Sequence, residues 1–513
     1  MAIEPAQFKQ NLINVVIFIC GAATLIVEVT AIRLLSPYFG ATLFNLSSII
    51  SVIMIALAIG YWLGGKFADQ KPSPTLLYGI VLVSGTEVLL LNMLSIFLLP
   101  ILGGKLDLMA GPLLASLMLF FLPTLFLGMV SPIAIRIQTK GINTVGETAG
   151  RVFFFGTAGS VVGSLGAGFI FIPHFPVSKI IAGTGIVLVA VGLAGISRSL
   201  KTKALRKIGV LMLILGVLSG TVKPVRTEPD TLVEEDSMYQ HIKIIKTQFQ
   251  GGEGLLLMLD KTFAGARYLD SDELPFPYTR YHELYVLANK QAKRFLYLGG
   301  GTYVIPKKLL AERKDELEVV AVEIDPRLPE LARLYFSLTD DPRLKLVTAD
   351  ARKFLSGNLG CYDMIFVDVF SMDFALPPHL ATAEFFKIIE KHLCQRGTIV
   401  MNIATSIENK VPSFGLSIVK TFRHVFPNGE VIATRPTELS GLQNMLLWGV
   451  KDKTWKFDAA NPEIRNSKTT EIRDIAWHRV DLSRFDLAPH KIFTDDYAPV
   501  EFFAAKMTKQ LRK

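Results

Sequence analysis

The sequence predicts two folds in tandem: a polytopic α-helical membrane domain, followed by an α/β Rossmann-like domain with a small N-terminal β lead-in. Three observations predict this. Charge and hydropathy change together near residue 223. Before that point the chain runs through apolar stretches of membrane-spanning length, and after it strand-like and helix-like segments alternate, with acidic residues closing the strands.

Of 54 Lys+Arg and 45 Asp+Glu, residues 1–223 hold 15 and 6, leaving 39 and 39 for residues 224–513. The net charge of +9 therefore belongs to the first part. The expected organisation is a transmembrane bundle of about seven hydrophobic segments over 1–223, a linker with short strands over 224–285, and a nucleotide-binding catalytic domain over 286–513. Despite a pI near 9.2, the basic residues sit in short loops between apolar runs rather than along a stripe, so nucleic acid is not an expected partner. Cys20, Cys361 and Cys394 lie far apart without CxxC spacing, and are expected as small buried hydrophobes rather than as a zinc site or disulfide framework.

A helix needs about 20 mostly apolar residues to cross the hydrocarbon core. Such runs fall at 12–35, 46–64, 75–100, 111–130, 152–172 and 178–197, with a weaker seventh from Ile208 to Val222. The first run is too long for a cleavable signal peptide and carries Glu28 and Arg33 near its end. Gly159, Gly163 and Ala167 share one face of the fifth run, where a second helix could approach closely. Glu28 and Glu87 are costly in hydrocarbon and are expected to face the bundle interior or a polar cavity.

Orientation brings two arguments into conflict. Lys9 and the loops after the second, fourth and sixth runs are rich in Lys and Arg, whereas the loops after the third and fifth carry Lys105 and Lys179 alone. The rich side is cytoplasmic by the positive-inside rule, and seven full crossings would then put the second part outside. A cofactor made in the cytosol argues for the reverse. The expectation is a multi-pass plasma-membrane protein, surrounded by membrane lipids, with a cytoplasmic catalytic domain, reached by a seventh segment that lies in the interface or re-enters or by an orientation inverted against the charge count; a second part that faces out is the alternative.

In the second part, HIKIIKTQ and GLLLMLD read as a small antiparallel lead-in. RFLYLG, LEVVAVEID, LKLVTAD, YDMIFVDVF and GTIVMNIA then read as five strands separated by helices such as 329–336 and 382–393, a parallel doubly wound sheet whose ligands bind at the carboxyl ends. Those ends carry the chemistry. Gly299, Gly300 and Gly301 let backbone approach a ligand at a helix start, where free N–H groups favour an electronegative partner. Glu323, 22 residues after Gly301, stands where a carboxylate can take both ribose hydroxyls; Asp350 lies within reach of an adenine amino group; Asp368 points beyond the ribose. A dinucleotide site wants a third glycine where this chain has Val304. An adenosine cofactor without pyrophosphate fits better, which means S-adenosylmethionine or its decarboxylated form and a class I S-adenosylmethionine-dependent transferase domain.

The succession LDKTF, YHELYVLA, LYLGGGT, VEIDP, DPRLKLVTADARKFL and YDMIFVD resembles spermidine synthase, the polyamine aminopropyltransferases. LIVEVTAIRLLSPYFG, IGYWLGGKFAD, GSLGAGFIFIP and FTDDYAPVE extend the resemblance to the membrane-fused form of that family, a transporter-like bundle joined to a spermidine-synthase-like domain. The resemblance implies a transferase of polyamine biosynthesis. Within it, Glu323 binds the ribose, Asp350 contacts the adenine, Asp368 helps deprotonate the attacking amine, Tyr281 lines the substrate side and His282 contacts the cofactor. An amine is protonated at pH 7, so a carboxylate must hold it and take its proton. No metal is needed for this, because a sulfonium is already a good leaving group and alignment supplies most of the rate.

Three departures bear on the substrate, one being that the family's tyrosine-bearing segment near the C-terminus has no clear counterpart in SGLQNMLLWG. Soluble spermidine synthases read GGGDG, with an aspartate holding the aminopropyl arm, where this chain has Thr302. Their second active-site aspartate lies three residues after the first in DSSDP, whereas Asp373 here is displaced by two positions. Three functions stay open at this point: aminopropyl transfer to a small-molecule amine, methyl or alkyl transfer to a lipid-like acceptor with Thr302 tolerating a carboxylate, and a transporter or sensor whose cofactor domain catalyses nothing. Homo-oligomerisation is compatible with all three.

Overall fold

A computed structural model describes residues 5–199, 230–260, 262–357, 360–370, 376–408 and 413–511. Two compact units divide the chain, Met1–Pro229 and Asp230–Lys513. Ile208–Val222 and Asp373, both singled out in the sequence, lie outside the described residues.

The first unit consists of α1 (Pro5–Phe39), α2 (Leu43–Gln70), α3 (Pro74–Lys105), α4 (Ala110–Gln138), α5 (Val145–Gly166) and α6 (Val177–Ser199). Six described helices are long and apolar enough to cross a membrane. Met54, Trp62, Phe97, Phe154 and Phe169 point outward while Ile53, Val81, Phe120 and Ile181 fill the centre, an arrangement that suits lipid as the surrounding solvent. Close helix approach depends on glycine. A Cβ on Gly159 would lie 2.0 Å from the Phe18 carbonyl oxygen, and one on Gly163 would lie 2.3 Å from that of Ala22, so the small face of α5 packs on α1. Gly60 and Gly64 do the same for α2 against α4, a contact that local sequence does not announce. Glu28 and Glu87 are each partly buried.

The second unit opens with a four-stranded antiparallel sheet: β1 (Thr231–Asp236), β2 (His241–Phe249), β3 (Gly252–Leu259) and β4 (Thr262–Tyr268). The lead-in is thus twice the expected size, because TLVEED and TFAGARY gain strand structure from pairing with β2 and β3 rather than from alternation of their own. The main sheet has seven strands. Its parallel members β5 (Arg294–Leu298), β6 (Glu318–Glu323), β7 (Leu344–Thr348), β8 (Tyr362–Val367) and β9 (Leu393–Thr405) are those the sequence marks. Two antiparallel strands the sequence reading lacks, β10 (Glu430–Ala433) and β11 (Gln443–Val450), complete the order β10-β11-β9-β8-β5-β6-β7. Buried Phe295, Tyr297, Val319, Ala321, Met364, Phe366 and Trp448 belong to one continuous core. The crossovers from β5, β6, β7 and β8 include α7 (Val304–Glu312), α8 (Arg327–Tyr335), α9 (Ala351–Gly357) and α10 (Ala383–His392) respectively.

The cysteine expectation needs correction. Cys20 is buried and free, but Cys361 and Cys394 form a disulfide with Cα atoms 5.0 Å apart. They precede and enter adjacent parallel strands whose register pairs Tyr362 with Leu393, so two residues 33 positions apart meet through sheet topology.

Candidate functional site

Register builds the site. Leu298 pairs with Val322 on one side and Val367 on the other, so the following residues, Gly299, Glu323 and Asp368, leave the sheet next to one another. Glu323 pairs with Thr348, which brings Asp350 to the same edge. The chain proceeds from β5 outward to β6 and β7, then returns to the other side of β5 with β8; at this reversal an open α/β sheet leaves a crevice.

Gly299 holds φ at +95°, and a Cβ there would stand 2.1 Å from the Asp368 carbonyl oxygen. Only glycine lets the ends of β5 and β8 come this close. The next two amides answer what the glycine loop binds: Gly300 and Gly301 N–H donate to Glu323 Oε2 at 2.8 and 3.1 Å, and Asp325 N–H donates to Oε1 at 3.0 Å. The loop's donors thus hold a carboxylate of the protein itself rather than standing free for phosphate. Burial pushes the Glu323 carboxyl above its ordinary value, and these three N–H groups pull it back.

Asp368 is held from two sides. Tyr278 Oη donates to Oδ2 at 3.0 Å and Asn402 Nδ2 donates to Oδ1 at 2.9 Å. Asn444 Nδ2 in turn donates to Asn402 Oδ1 at 3.0 Å, which fixes the orientation of the Asn402 amide. Burial raises the Asp368 carboxyl to about 6, with the Asn402 and Tyr278 bonds acting against it. A carboxylate poised there is suited to accept a proton near neutral pH. Asp350 has a divided role: Oδ1 accepts from Lys353 N–H at 2.8 Å, capping α9, while Oδ2 lies 3.3 Å from His379 Nε2.

Glu323, Asp350 and Asp368 line one cavity of about 200 Å³ together with Gly299, Gly301, Asp260, Gln240, Tyr278 and His379. Apolar side chains, among them Leu259, Phe263, Val322, Ile324 and Leu380, line it as well. Four carboxylates and no Lys or Arg line it among the described residues. Such a pocket favours a cationic ligand with an apolar body and opposes phosphate or a substrate carboxylate. The second part of the sequence is neutral overall, yet these four acids meet here with no Lys or Arg among the described lining residues.

Three residues expected at the site are placed elsewhere. Thr302 is buried, with its side chain packed beneath Gly265 of β4, and does not line the cavity. Tyr281 is fully buried in the core. His282 is 1% exposed, with Nδ1 2.9 Å from the Thr279 carbonyl oxygen, and is likewise absent from the cavity wall. Along the 3₁₀ run Pro277–Leu287, Tyr281 follows Tyr278 by one turn and packs in the core against His478, and it is Tyr278 that reaches Asp368. Sequence reasoning missed Tyr278, Asn402, Gln240 and Asp260. A second tyrosine three positions before YHE was the one available signal.

An edge of parallel strands bearing Glu323, Asp350 and Asp368 around an acidic cavity defines a Rossmann-like domain whose cavity lies at the carboxyl ends of its strands. Residues 280–458 match the model of the spermine/spermidine synthase domain. The polyamine aminopropyltransferase of Thermoanaerobacter pseudethanolicus is 30% identical over 220 residues, 40% of this chain and 73% of that protein. A probable polyamine aminopropyl transferase of Bifidobacterium longum is 25% identical over 60% of this chain and 71% of its own length. Polyamine aminopropyltransferase 1 of Streptomyces coelicolor is 24% identical over 76% of this chain and 75% of its own, a match that extends into the helical unit. The chain belongs to the polyamine aminopropyltransferase family, in a form with an N-terminal set of long apolar helices.

Proposed function

We propose that the α/β unit transfers an aminopropyl group from decarboxylated S-adenosylmethionine to a small amine. The observation that carries this reading is the acidic cavity with Asp368 at its wall. Glu323 would hold the ribose and Asp350 the adenine, while the apolar wall accepts the ring and the acids accept the positive charges. When bound, the cofactor supplies a sulfonium whose neighbouring carbon is open to attack. A C–N bond forms as the C–S bond breaks, its electron pair leaving with sulfur as the neutral thioether 5′-methylthioadenosine. Asp368 accepts the proton lost by the attacking nitrogen, and Tyr278 and Asn402 keep its carboxylate aimed. The residues that motivated the lipid-acceptor alternative count less here, since Thr302 lies beneath Gly265 rather than in the cavity.

The test is full-length protein in detergent, given decarboxylated S-adenosylmethionine and a short aliphatic diamine, with products followed by mass spectrometry. Release of 5′-methylthioadenosine matched by aminopropylated amine is expected. Formation of S-adenosylhomocysteine and a methylated acceptor from the intact cofactor would overturn the reading.

In this proposal residues 1–223 anchor the enzyme in the plasma membrane and 286–513 catalyse. Cofactor supply favours the cytoplasmic face for catalysis. The Cys361–Cys394 bridge favours the opposite face, since such bonds persist outside the reducing cytosol. A reporter fused after Lys513 decides between them: activity of a cytoplasm-dependent reporter is expected, and activity of a periplasm-dependent one would reverse the orientation.

A further inference from the structure

Helix α7, nine residues long, begins just after the glycine loop at Val304 and ends at Glu312, about 12 Å away at ~1.5 Å per residue. At that far end His282, Glu283 and Glu312 bring one nitrogen and two carboxylate oxygens within 4.8 Å of one another. A group of acids alone would mean little. The histidine makes the difference. Its Nδ1 lies 2.9 Å from the Thr279 carbonyl oxygen, which can only accept, so Nδ1 carries the proton and Nε2 of the neutral ring presents a lone pair. That Nε2 is buried and has no hydrogen-bond partner among the described residues.

The surrounding contacts resemble the support that metal ligands need. Glu283 is oriented by the Thr469 hydroxyl, which donates to Oε1 at 2.6 Å, and by the Ser467 hydroxyl, which donates to Oε2 at 3.3 Å. Each oxygen keeps a further lone pair. Metal-binding histidines characteristically donate their other ring N–H to a backbone carbonyl, and ligating carboxylates are themselves hydrogen-bonded. Glu312 is exposed and provides access from solvent; Lys308 Nζ lies 3.3 Å from its Oε1 and 3.4 Å from Glu273 Oε1, so this lysine has a second carboxylate to turn to. Bonds to zinc of ~2.0–2.2 Å require the three atoms to close by roughly 1 Å, a movement the exposed Glu312 side chain can make.

We propose that His282, Glu283 and Glu312 form a divalent-cation site, best suited to zinc, with water completing the coordination. One imidazole nitrogen and two carboxylates make a borderline-to-hard donor set that fits Zn²⁺ and excludes thiophilic Cu⁺. The ion would tie Pro277–Leu287, which carries Tyr278, to the end of α7, whose beginning follows the glycine loop. It takes no part in group transfer. The site stands whether or not the proposed reaction is correct.

The test uses tag-free, chelator-stripped full-length protein titrated with zinc sulfate by calorimetry, with bound metal counted by mass spectrometry. One Zn²⁺ per chain and a higher thermal midpoint are expected. Glu312→Gln, on the exposed side, should weaken affinity at least tenfold, and His282→Gln should remove stoichiometric binding. Failure of the unaltered protein to hold one equivalent, or equal affinity in Glu312→Gln, would overturn the proposal. One equivalent of zinc retained by His282→Gln would also overturn it, by placing the ion elsewhere, for instance at His241, which contacts Asp236 and Glu234.

Discussion

Replacing Asp368 with asparagine should make the protein more stable and nearly inactive. Burial holds the Asp368 carboxyl at about 6, against ~3.9 for an unfolded aspartate. At ~1.4 kcal/mol per pH unit, keeping this charge in the fold costs up to about 3 kcal/mol once both states are ionised, above pH 6. The sign follows directly. Below about pH 4 the group is neutral in both states and costs nothing, and stability is lost as pH rises toward and through 6. Asparagine fits the same hydrogen bonds. Its carbonyl oxygen can accept from Asn402, whose amide orientation is fixed by Asn444, and its NH₂ can face the Tyr278 hydroxyl, which can also accept. Asp368→Asn should therefore raise the thermal midpoint at pH 8, by an amount that vanishes near pH 4. Turnover should fall by about 10²–10⁴, the span of general-base catalysis. Parallel melts at the two pH values and release of 5′-methylthioadenosine measure both effects. A lower midpoint at pH 8, or turnover within tenfold of the unaltered enzyme, would refute the reasoning.

Three further outcomes follow from particular contacts. Tyr278→Phe removes a donor that lowers the Asp368 carboxyl, so the acid limb of the pH–rate profile should move above pH 6; loss of a hydrogen bond to a charged group, about 1.5 kcal/mol or more, predicts roughly tenfold slower turnover near neutrality, read from initial rates across pH. Gly299→Ala combines positive φ with a Cβ 2.1 Å from the Asp368 carbonyl oxygen, and should cost about 3 kcal/mol or more, seen as a fall in thermal midpoint together with loss of cofactor binding. In the helical unit, Gly159→Leu should lower the midpoint in detergent by driving α5 from α1, while Gly150→Leu, where a Cβ meets nothing within 4 Å, should leave it unchanged.

The sequence by itself determined the helical unit's long apolar segments, the five parallel strands and the acids at their ends. Each rests on local physics. A run of about 20 apolar residues needs no distant partner to declare itself, and a strand's last residue must lie at the sheet edge wherever that strand is placed. Glu323, Asp350 and Asp368 were legible for that reason. Tertiary structure alone decided which side chains face them. Tyr278 reaches Asp368, while Tyr281, one 3₁₀ turn later, is taken up by the core beside His478. Asn402 arrives from β9, which lies beside β8, and the antiparallel strand β11 supplies the Asn444 that orients it. Cys361 meets Cys394, and His282 meets Glu312, through sheet order and helix docking that no spacing records. Thr302 shows the converse: its position after the glycines suggested a ligand contact, but packing against Gly265 of another sheet turned the side chain inward. Local patterns fix which residues arrive at an edge. The pairing of distant segments fixes their neighbours, and those neighbours set the charge, proton affinity and direction of each group.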